Sequence, residues 1–448
     1  MGALKPPSAG WLSGRMVVAF CALTLVFDGY DISVYGVTIP AMLGYAPWGL
    51  GAAELGVIGS VALVGMLLGA LLCGVATDLL GRKLMLIVST GWFSICMIFC
   101  AVAPTSEIFG LFRFLAGLGL GGVMPTAVAL AVEFAPRHRR SLVNMILGIG
   151  TALGTLIAAL LGIAVIEAFG FRPMYLFGAV ALLVLPVFWF GLPESVEYLT
   201  SRGRIEEAGI VARRYRIEVR GIEVTSADVP PAGRGRVSLR VLRSRALLGA
   251  LAVFGAAWFS VQLFIYGLNT WLPQLMRMAG YPLGSALSFF ATMYVGAMIG
   301  GLGLAWCADR TSPRTMALLG FGAGGCALLI LGAAPATPIV YLAVALAGVG
   351  SVGTAAMLNA FAAPWFPAAV RASALGIYMG VGRLGSILGP VTGGWIIASG
   401  LPVSATFYAL MIPTALGIVA VLLSPRTRSY GETTDTASPA TSGTPATP

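Results

Sequence analysis

Apolar residues along the chain form twelve long runs, separated by short segments that hold most of the charged residues. Each run contains about 20 or more predominantly apolar residues, the length that an α-helix needs to cross the hydrocarbon core of a bilayer. The pattern predicts an all-α membrane protein with twelve transmembrane helices. In chain order, the predicted helices 1 to 12 are 16–43, 55–79, 84–103, 108–134, 141–169, 172–191, 246–276, 285–308, 314–333, 338–363, 371–398 and 403–424.

Composition supports this prediction. The chain has 448 residues, of which 58% are hydrophobic and 10% charged, and its mean hydropathy is +0.92. Soluble domains carry about 25% charged residues, so an ordinary soluble enzyme and a disordered chain are both excluded. The six cysteines show no metal-ligand spacing and the one histidine, His138, lies in a basic loop, so we expect no metal and no cofactor.

The distribution of basic residues predicts the orientation in the membrane. Alternate loops carry Arg82 and Lys83, Arg137 to Arg140, the segment 192–245, Arg310 with Arg314, and Arg371, whereas the opposite loops hold only Arg172 and Arg277. By the positive-inside rule, both termini are cytoplasmic. The net charge of +10 is therefore attributed to orientation rather than to nucleic-acid binding. The predominance of Arg over Lys is typical of a GC-rich bacterial genome, which suggests a bacterial cytoplasmic (inner) membrane.

The Arg-rich middle segment divides the predicted helices six and six. The predicted organisation is a cytoplasmic N-terminus (1–15), a first six-helix bundle (16–191), a basic cytoplasmic linker (192–245), a second bundle (246–424) and a disordered tail (425–448). Within the linker, the stretch from Ile205 to Tyr215 fits either an amphipathic helix on the membrane surface or a solvated chain, and the sequence leaves both open.

Landmark residues of the first half recur in the second half at a fixed offset of 231 positions. The pairs are Asp78 and Asp309, Pro136 and Pro367, Arg140 and Arg371, and Gly154 and Gly385. The offset predicts two pseudo-symmetric bundles. Transporters built from two such repeats bind their substrates near the membrane midplane, between the repeats.

Two carboxylates, Asp28 and Asp31, lie near the middle of predicted helix 1. A charge at that depth costs roughly 2.5–3.5 kcal/mol on insertion scales, and residues three apart share one helix face. Two carboxylates facing a cavity repel each other, which favours protonation of at least one. The pair therefore predicts a proton-carrying site, and the alternative is a structural partner for an intramembrane arginine.

Two arginines lie within the predicted membrane region, Arg113 in helix 4 and Arg383 in helix 11. Arginine stays protonated, so each is expected to hold a carboxylate, either an internal one (Asp28 or Asp31) or one belonging to a substrate. The position 231 residues after Arg113 is Val344, so Arg113 has no repeat counterpart. Tyr30, Tyr35, Tyr266 and Tyr378 neighbour polar or Gly-rich positions and are candidates for substrate contact.

Several motifs together resemble a known family. The stretch from Gly74 to Lys83 (GVATDLLGRK) resembles the loop signature between helices 2 and 3 of the major facilitator superfamily, with a degenerate copy from Gly301 to Arg310. Within that superfamily, four further stretches are similar to those of the aromatic acid:proton symporters. They are the first-helix motif Asp28-Gly-Tyr-Asp31, and the stretches Arg113 to Pro125, Tyr266 to Pro273 and Gly380 to Pro390.

The resemblance implies the major facilitator fold and proton-coupled uptake of a small aromatic carboxylate, such as benzoate or a hydroxybenzoate, by alternating access. The implied partners are the substrate, the proton and the bilayer, with the chain acting as a monomer. Residues implied in proton coupling are Asp28, Asp31, Arg113 and Glu133, where Glu133 is also placed to join the cytoplasmic gate. Residues implied in substrate binding are Arg383, Tyr30, Tyr35, Tyr266, Asn269 and Tyr378. The implied cytoplasmic gate comprises Gly74, Asp78, Gly81, Arg82, Lys83, Asp309 and Arg310, with Asp78 near the N-terminus of helix 11.

Other transporter classes remain as alternatives. Leu192 to Ser195 (LPES) resembles the sugar-porter sequence after helix 6, but helix 7 has Gln262 where a sugar porter would carry paired glutamines. A drug exporter would share the fold, although two intramembrane arginines argue against cationic substrates. A transporter of another organic acid also fits. An enzyme is not expected, because no nucleophile–base set is visible.

Overall fold

The computed structural model describes residues 14–215, 217, 245–333, 336–367 and 370–425. Twelve helices in this part of the chain are long and apolar enough to cross a membrane. In chain order they are α1 (Gly14–Leu43), α2 (Ala52–Leu80), α3 (Arg82–Val102), α4 (Ser106–Glu133), α5 (Leu142–Phe169), α6 (Arg172–Gly191), α7 (Leu247–Met278), α8 (Leu283–Ala308), α9 (Pro313–Gly332), α10 (Thr337–Trp365), α11 (Ser373–Ala398) and α12 (Val403–Leu423).

The predicted fold class is confirmed, and every predicted helix limit lies within three residues of the observed one. The stretch Ile205–Tyr215 is helical, and Ala208 and Ala212 pack against Val196 and Leu199 of a preceding short helix. That contact buries part of the apolar face of the helix. The predictions for the N-terminus, most of the linker and the tail fall on 1–13, 218–244 and 426–448, outside the described residues.

Two spanning helices are irregular at equivalent places. In α4 the helical pattern is interrupted by a turn at Gly121 and Gly122, and in α10 a π-helical turn runs from Val349 to Gly353. The offset of 231 carries Gly122 onto Gly353. Both irregularities therefore fall at one position of the repeat.

The repeat offset corresponds to equivalent helix packing. Gly154 lies where α5 crosses α1, and a Cβ there would collide with Val26 O and Tyr30 N. Gly385 lies where α11 crosses α7, against Phe259 O and Leu263 N. Small residues at such crossings let helix backbones approach closely, which is how helices associate in lipid.

The two halves touch near one end of the molecule and separate near the other. We define the basic end as the end where α2 meets α3 and α8 meets α9, near Arg82 and Arg310. Near the opposite end, α2 and α11 are in close contact, because a Cβ at Gly56 would lie 2.7 Å from Pro390 O. Towards the basic end, a Cβ at Gly74 of α2 or Gly376 of α11 would meet no atom within 4 Å. The space between the halves therefore opens at the basic end.

Candidate functional site

An ion pair joins α1 to α4 inside the first half. Arg113 Nη1 donates to Asp31 Oδ1 at 2.5 Å, and both side chains are 4% exposed. Arg113 Nη2 also approaches the carbonyl oxygen of Asp31 at 3.4 Å, and the guanidinium lies 5.7 Å from the centre of the Tyr35 ring. The structure thus gives Arg113 an internal partner, and that partner is Asp31 rather than Asp28.

The ion pair borders a small cavity between the two halves. The cavity has a volume of about 20 Å³, enough for roughly one water molecule. Asp31, Tyr35 and Arg113 line it from the first half, and Tyr266 and Asn269 line it from α7 of the second half. Five of the residues predicted from the sequence are therefore brought together at one place.

Asp28 lies one turn nearer the basic end than Asp31 and is also buried, at 2% exposure. Its Oδ1 atom has no hydrogen-bond partner among the described residues. A buried charged group without a partner is costly, whereas a protonated carboxyl is not charged. Asp28 is thus the carboxyl of the two with an unpaired oxygen in this conformation, whereas Asp31 is held by Arg113.

Arg383 lies near the middle of α11, and its side chain is half-buried. It is close enough to Asp28 and Tyr266 to interact with both electrostatically, yet no ion pair or hydrogen bond links it to any described residue. A guanidinium carries five donors in a planar fork that matches a carboxylate. Arg383 is thus a half-buried cation whose guanidinium donors are not used by the described residues.

The four tyrosines predicted to contact substrate divide into three groups. Tyr266 lines the cavity, and Tyr35 also lines it, although its hydroxyl is held by Leu55 O at 2.5 Å. Tyr30 points instead towards α6, where its hydroxyl donates to Met174 O at 2.6 Å. Tyr378 is fully buried against Trp258, with ring centres 5.1 Å apart. Substrate contact by Tyr30 and Tyr378 is therefore not supported by this conformation.

Asn269 uses its side chain to join the two halves. Its Nδ2 donates to Ile32 O at 3.2 Å, while its Oδ1 accepts from Tyr294 OH at 2.6 Å and from Ser33 Oγ at 3.4 Å. Ser33 also bonds Thr155 of α5 at 2.7 Å. Asn269 therefore bonds protein groups through Oδ1 and one Nδ2 hydrogen while it also lines the cavity, and its role in substrate binding stays a prediction.

A second polar cluster lies at the basic end of the first half. Arg82 forms ion pairs with Glu133 at 2.8 Å and with Glu197 at 2.6 Å. Glu194 Oε1 accepts from the backbone N–H groups of Arg82 (2.9 Å) and Lys83 (3.1 Å), the first residues of α3. A carboxylate at a helix N-terminus satisfies free donors and complements the helix dipole.

Glu133 therefore belongs with Arg82 and not with Asp28 and Asp31. It lies beside the predicted gate residue Arg82, and among the described residues no hydrogen bond or ion pair connects it to the carboxylates of α1. Gly81 has φ = 94°, and a Cβ there would lie against the Glu194 carboxylate. A side chain at position 81 would therefore be both strained and crowded, which explains the glycine.

The other predicted gate residues are not in contact across the halves. Asp78 is exposed, and its side chain forms no hydrogen bond or ion pair with a described residue. Asp309 is exposed as well, and the Arg310 guanidinium stacks on Trp306, 3.5 Å from its ring centre. A contact between Asp78 and α11 is absent from the described residues here, because the basic end is open.

Some residues of the site were not found by sequence reasoning. Glu194 and Glu197 were not assigned to the cluster at Arg82, and Ser33, Thr155 and Tyr294 were not connected to Asn269. The position of Glu194, just after predicted helix 6, was visible in the sequence. Its contact with the start of α3 was not, because 112 positions separate Glu194 from Arg82.

The fold and the site together define a multi-pass membrane transporter with a polar centre between two six-helix halves. The chain belongs to the Major Facilitator Superfamily, whose family model matches residues 21–344 and 289–444. The chain is a transporter and not an enzyme, as expected from the sequence.

Relatives confirm the resemblance to aromatic acid transporters. The benzoate transport protein of Acinetobacter baylyi is 34% identical over 425 residues, which cover 92% of this chain and 90% of the relative. The gentisate transporter of Corynebacterium glutamicum is 36% identical over 420 residues, covering 92% and 88%. The inward-open structure of the xylose transporter XylE from E. coli matches with a TM-score of 0.72 at 18% identity, covering 94% of this chain and 98% of that one, and supports the fold alone.

Proposed function

We propose that the protein takes up a small aromatic carboxylate together with a proton, by alternating access. The observation that carries the proposal is Arg383, a mid-membrane guanidinium with no ion pair among the described residues. A charge at this depth is expensive, so an anion must compensate it in at least one state of the cycle. The relatives are named as transporters of benzoate, gentisate, gallate and 4-hydroxybenzoate, which supports an aromatic acid as that anion.

The proton would be carried by the carboxylates of α1. Asp31 is paired with Arg113, whereas Asp28 is buried without a partner for its Oδ1 atom. Protonation of Asp28 lowers the negative charge beside Arg383, so that Arg383 is left to the carboxylate of the substrate. When the substrate leaves, an ionised Asp28 can compensate Arg383 instead. This exchange would couple proton movement to substrate movement.

Alternating access would exchange contacts at the two ends of the molecule. In this conformation three hydrogen bonds join the described residues of the two halves, and all lie nearer the opposite end. They are Ser33 to Asn269, Asn269 to Ile32 and Ser60 to Ile387. If the basic end faces the cytoplasm, as the positive-inside rule predicts, this is an inward-facing state. Gly74, Asp78, Gly81, Arg82, Lys83, Asp309 and Arg310 would form the gate that closes that end.

The proposed setting is a bacterial inner membrane, with both termini cytoplasmic and the monomer as the working unit. The test is uptake of labelled benzoate by the purified chain in proteoliposomes, with and without an inward proton gradient. We expect accumulation only with the gradient, and competition by other aromatic acids. Competition by sugars instead, or uptake that ignores the gradient, would overturn the proposal.

A further inference from the structure

The face of α7 that lines the site carries a side-chain amide that the protein does not fully use. Gln262 lies four residues before Tyr266 and seven before Asn269, so the three side chains share one helix face. Tyr266 and Asn269 line the cavity beside Asp31 and Arg113. Gln262 therefore lies on the same face about one turn nearer the basic end than Tyr266, at the level of Ser386 of α11.

One end of the Gln262 amide is fixed by α11. Its Nε2 donates to Ser386 Oγ at 3.2 Å, and the Ser386 hydroxyl approaches Gly382 O at 3.4 Å. Since the hydroxyl hydrogen is directed at Gly382, the Ser386 oxygen is left to accept, which makes the amide nitrogen the group that faces Ser386. The carbonyl oxygen of Gln262 consequently points away from Ser386.

That carbonyl oxygen is available to a ligand. It accepts no hydrogen bond from the described residues, and it is not among the buried unpartnered atoms, so it borders accessible space. Ser386 follows Arg383 by three residues, a rise of about 4.5 Å along α11. A planar acid whose carboxylate is held by Arg383 would therefore bring its ring beside the amide if the ring extends towards Ser386.

We propose that Gln262 is a specificity-determining residue, whose carbonyl oxygen accepts a hydrogen bond from a ring hydroxyl of the substrate. The preferred substrates are then hydroxylated aromatic acids rather than unsubstituted or methyl-substituted ones. This inference rests on the proposed function. Burial of a carbonyl oxygen beneath a ring without a donor leaves that oxygen unpaired, so the site disfavours acids that lack the hydroxyl.

The test compares acids that differ only in one ring substituent. Each hydroxybenzoate isomer and the methylbenzoate of the same position compete against labelled benzoate in proteoliposomes of the full chain. A methyl group is similar in size to a hydroxyl group but donates no hydrogen bond. In the parent protein, we expect at least one hydroxy isomer to compete about 2- to 10-fold better than its methyl counterpart, the range for one neutral hydrogen bond.

Gln262→Met keeps the length of the side chain and removes the amide, so the hydroxyl preference should disappear in this variant. Gln274→Met is the matched control, since Gln274 lies on the same helix about 18 Å further along and a third of a turn around. It should keep the preference of the parent. If Gln262→Met does not fold, Gln262→Asn withdraws the amide by one methylene and should reduce the preference in the same direction.

Three outcomes overturn the inference. They are equal competition by hydroxy and methyl acids in the parent, an unchanged preference in Gln262→Met, and an equal loss of the preference in Gln274→Met. In each of these outcomes benzoate is still taken up and the proposed function stands. Failure of the parent to take up any aromatic acid would instead refute the proposed function itself.

Discussion

Arg113 and Asp31 form a buried ion pair between α4 and α1, with a distance of 2.5 Å between Nη1 and Oδ1. The sequence allows either intramembrane arginine to pair with Asp28 or Asp31. In the structure only Arg113 forms such a pair among the described residues, and its partner is Asp31. Arg383 is left without a carboxylate among the described residues, and Asp28 without a partner for Oδ1. This asymmetry distinguishes the closed Arg113–Asp31 pair from Arg383 and Asp28, which in the proposed mechanism exchange charge during transport.

Asp31→Asn is expected to destabilise the protein, because it leaves the Arg113 charge buried and unpaired. Breaking a buried pair in this way costs about 3–5 kcal/mol. Thermal unfolding in detergent should show the loss, and gradient-driven accumulation should be abolished. Replacing both partners by apolar residues, Asp31→Leu with Arg113→Met, should restore most of the stability but not the accumulation. Equal stability of Asp31→Asn and the parent would contradict the importance of the pair.

Asp28→Asn should behave differently, because the Oδ1 atom of Asp28 has no partner to lose. We expect a melting temperature equal to or above that of the parent. Accumulation driven by a proton gradient should fall strongly, while exchange of labelled for unlabelled substrate should continue. Gradient-driven accumulation at the level of the parent would remove Asp28 from the coupling mechanism.

Arg383 is expected to bind the carboxylate of the substrate. Arg383→Ala should weaken binding by about tenfold to a hundredfold, since a hydrogen bond to a charged group contributes about 1.5–3 kcal/mol. Arg383→Lys should keep the charge but lose the planar fork, and should raise the half-saturation concentration. The amide of the same acid is the control: it should bind the parent poorly and be indifferent to the substitution. Competition by the amide as strong as that by the acid would contradict the assignment.

Asn269→Ala should favour opening at the opposite end, because Asn269 makes two of the three hydrogen bonds between the halves. Loss of a net 1 kcal/mol or so changes an equilibrium about fivefold. A cysteine introduced at Ala52, which is buried there, should react faster with a membrane-impermeant thiol reagent. Asn359→Ala is the matched control, since the Oδ1 atom of Asn359 has no partner. An unchanged reaction rate at position 52 would argue against a role for Asn269 in holding the opposite end closed.

Asp78→Asn should leave stability in this conformation unchanged, because the side chain has no partner here. If Asp78 holds α11 when the basic end closes, the substitution should favour the open basic end. A cysteine introduced at Gly376 should then be modified more completely, and uptake should fall. Asp309→Asn, the repeat counterpart, is the comparison variant. If the cysteine at position 376 is modified equally in the parent and in Asp78→Asn, Asp78 does not hold the basic end closed.

Much of the fold follows from the sequence, and the physical reason is the bilayer. Within lipid every backbone polar group must be paired inside the chain, so each apolar run of sufficient length becomes a helix. This rule predicts all twelve spanning helices to within three residues. The repeat offset likewise predicts that Gly154 and Gly385 lie at equivalent crossings.

The sequence does not show which of the charged residues in the membrane region pair with one another. Charge and depth identified Asp28, Asp31, Arg113 and Arg383 as candidates for function, but they left open which arginine meets which carboxylate. Helix rotation and crossing decide that question, and both depend on side-chain packing between helices distant in sequence. The same reason explains why Tyr30 turns to Met174 and why Asn269 is bonded to protein groups. The sequence by itself determined the helices, their repeat and the costly charges, and only the tertiary structure decided which charge remained unpaired.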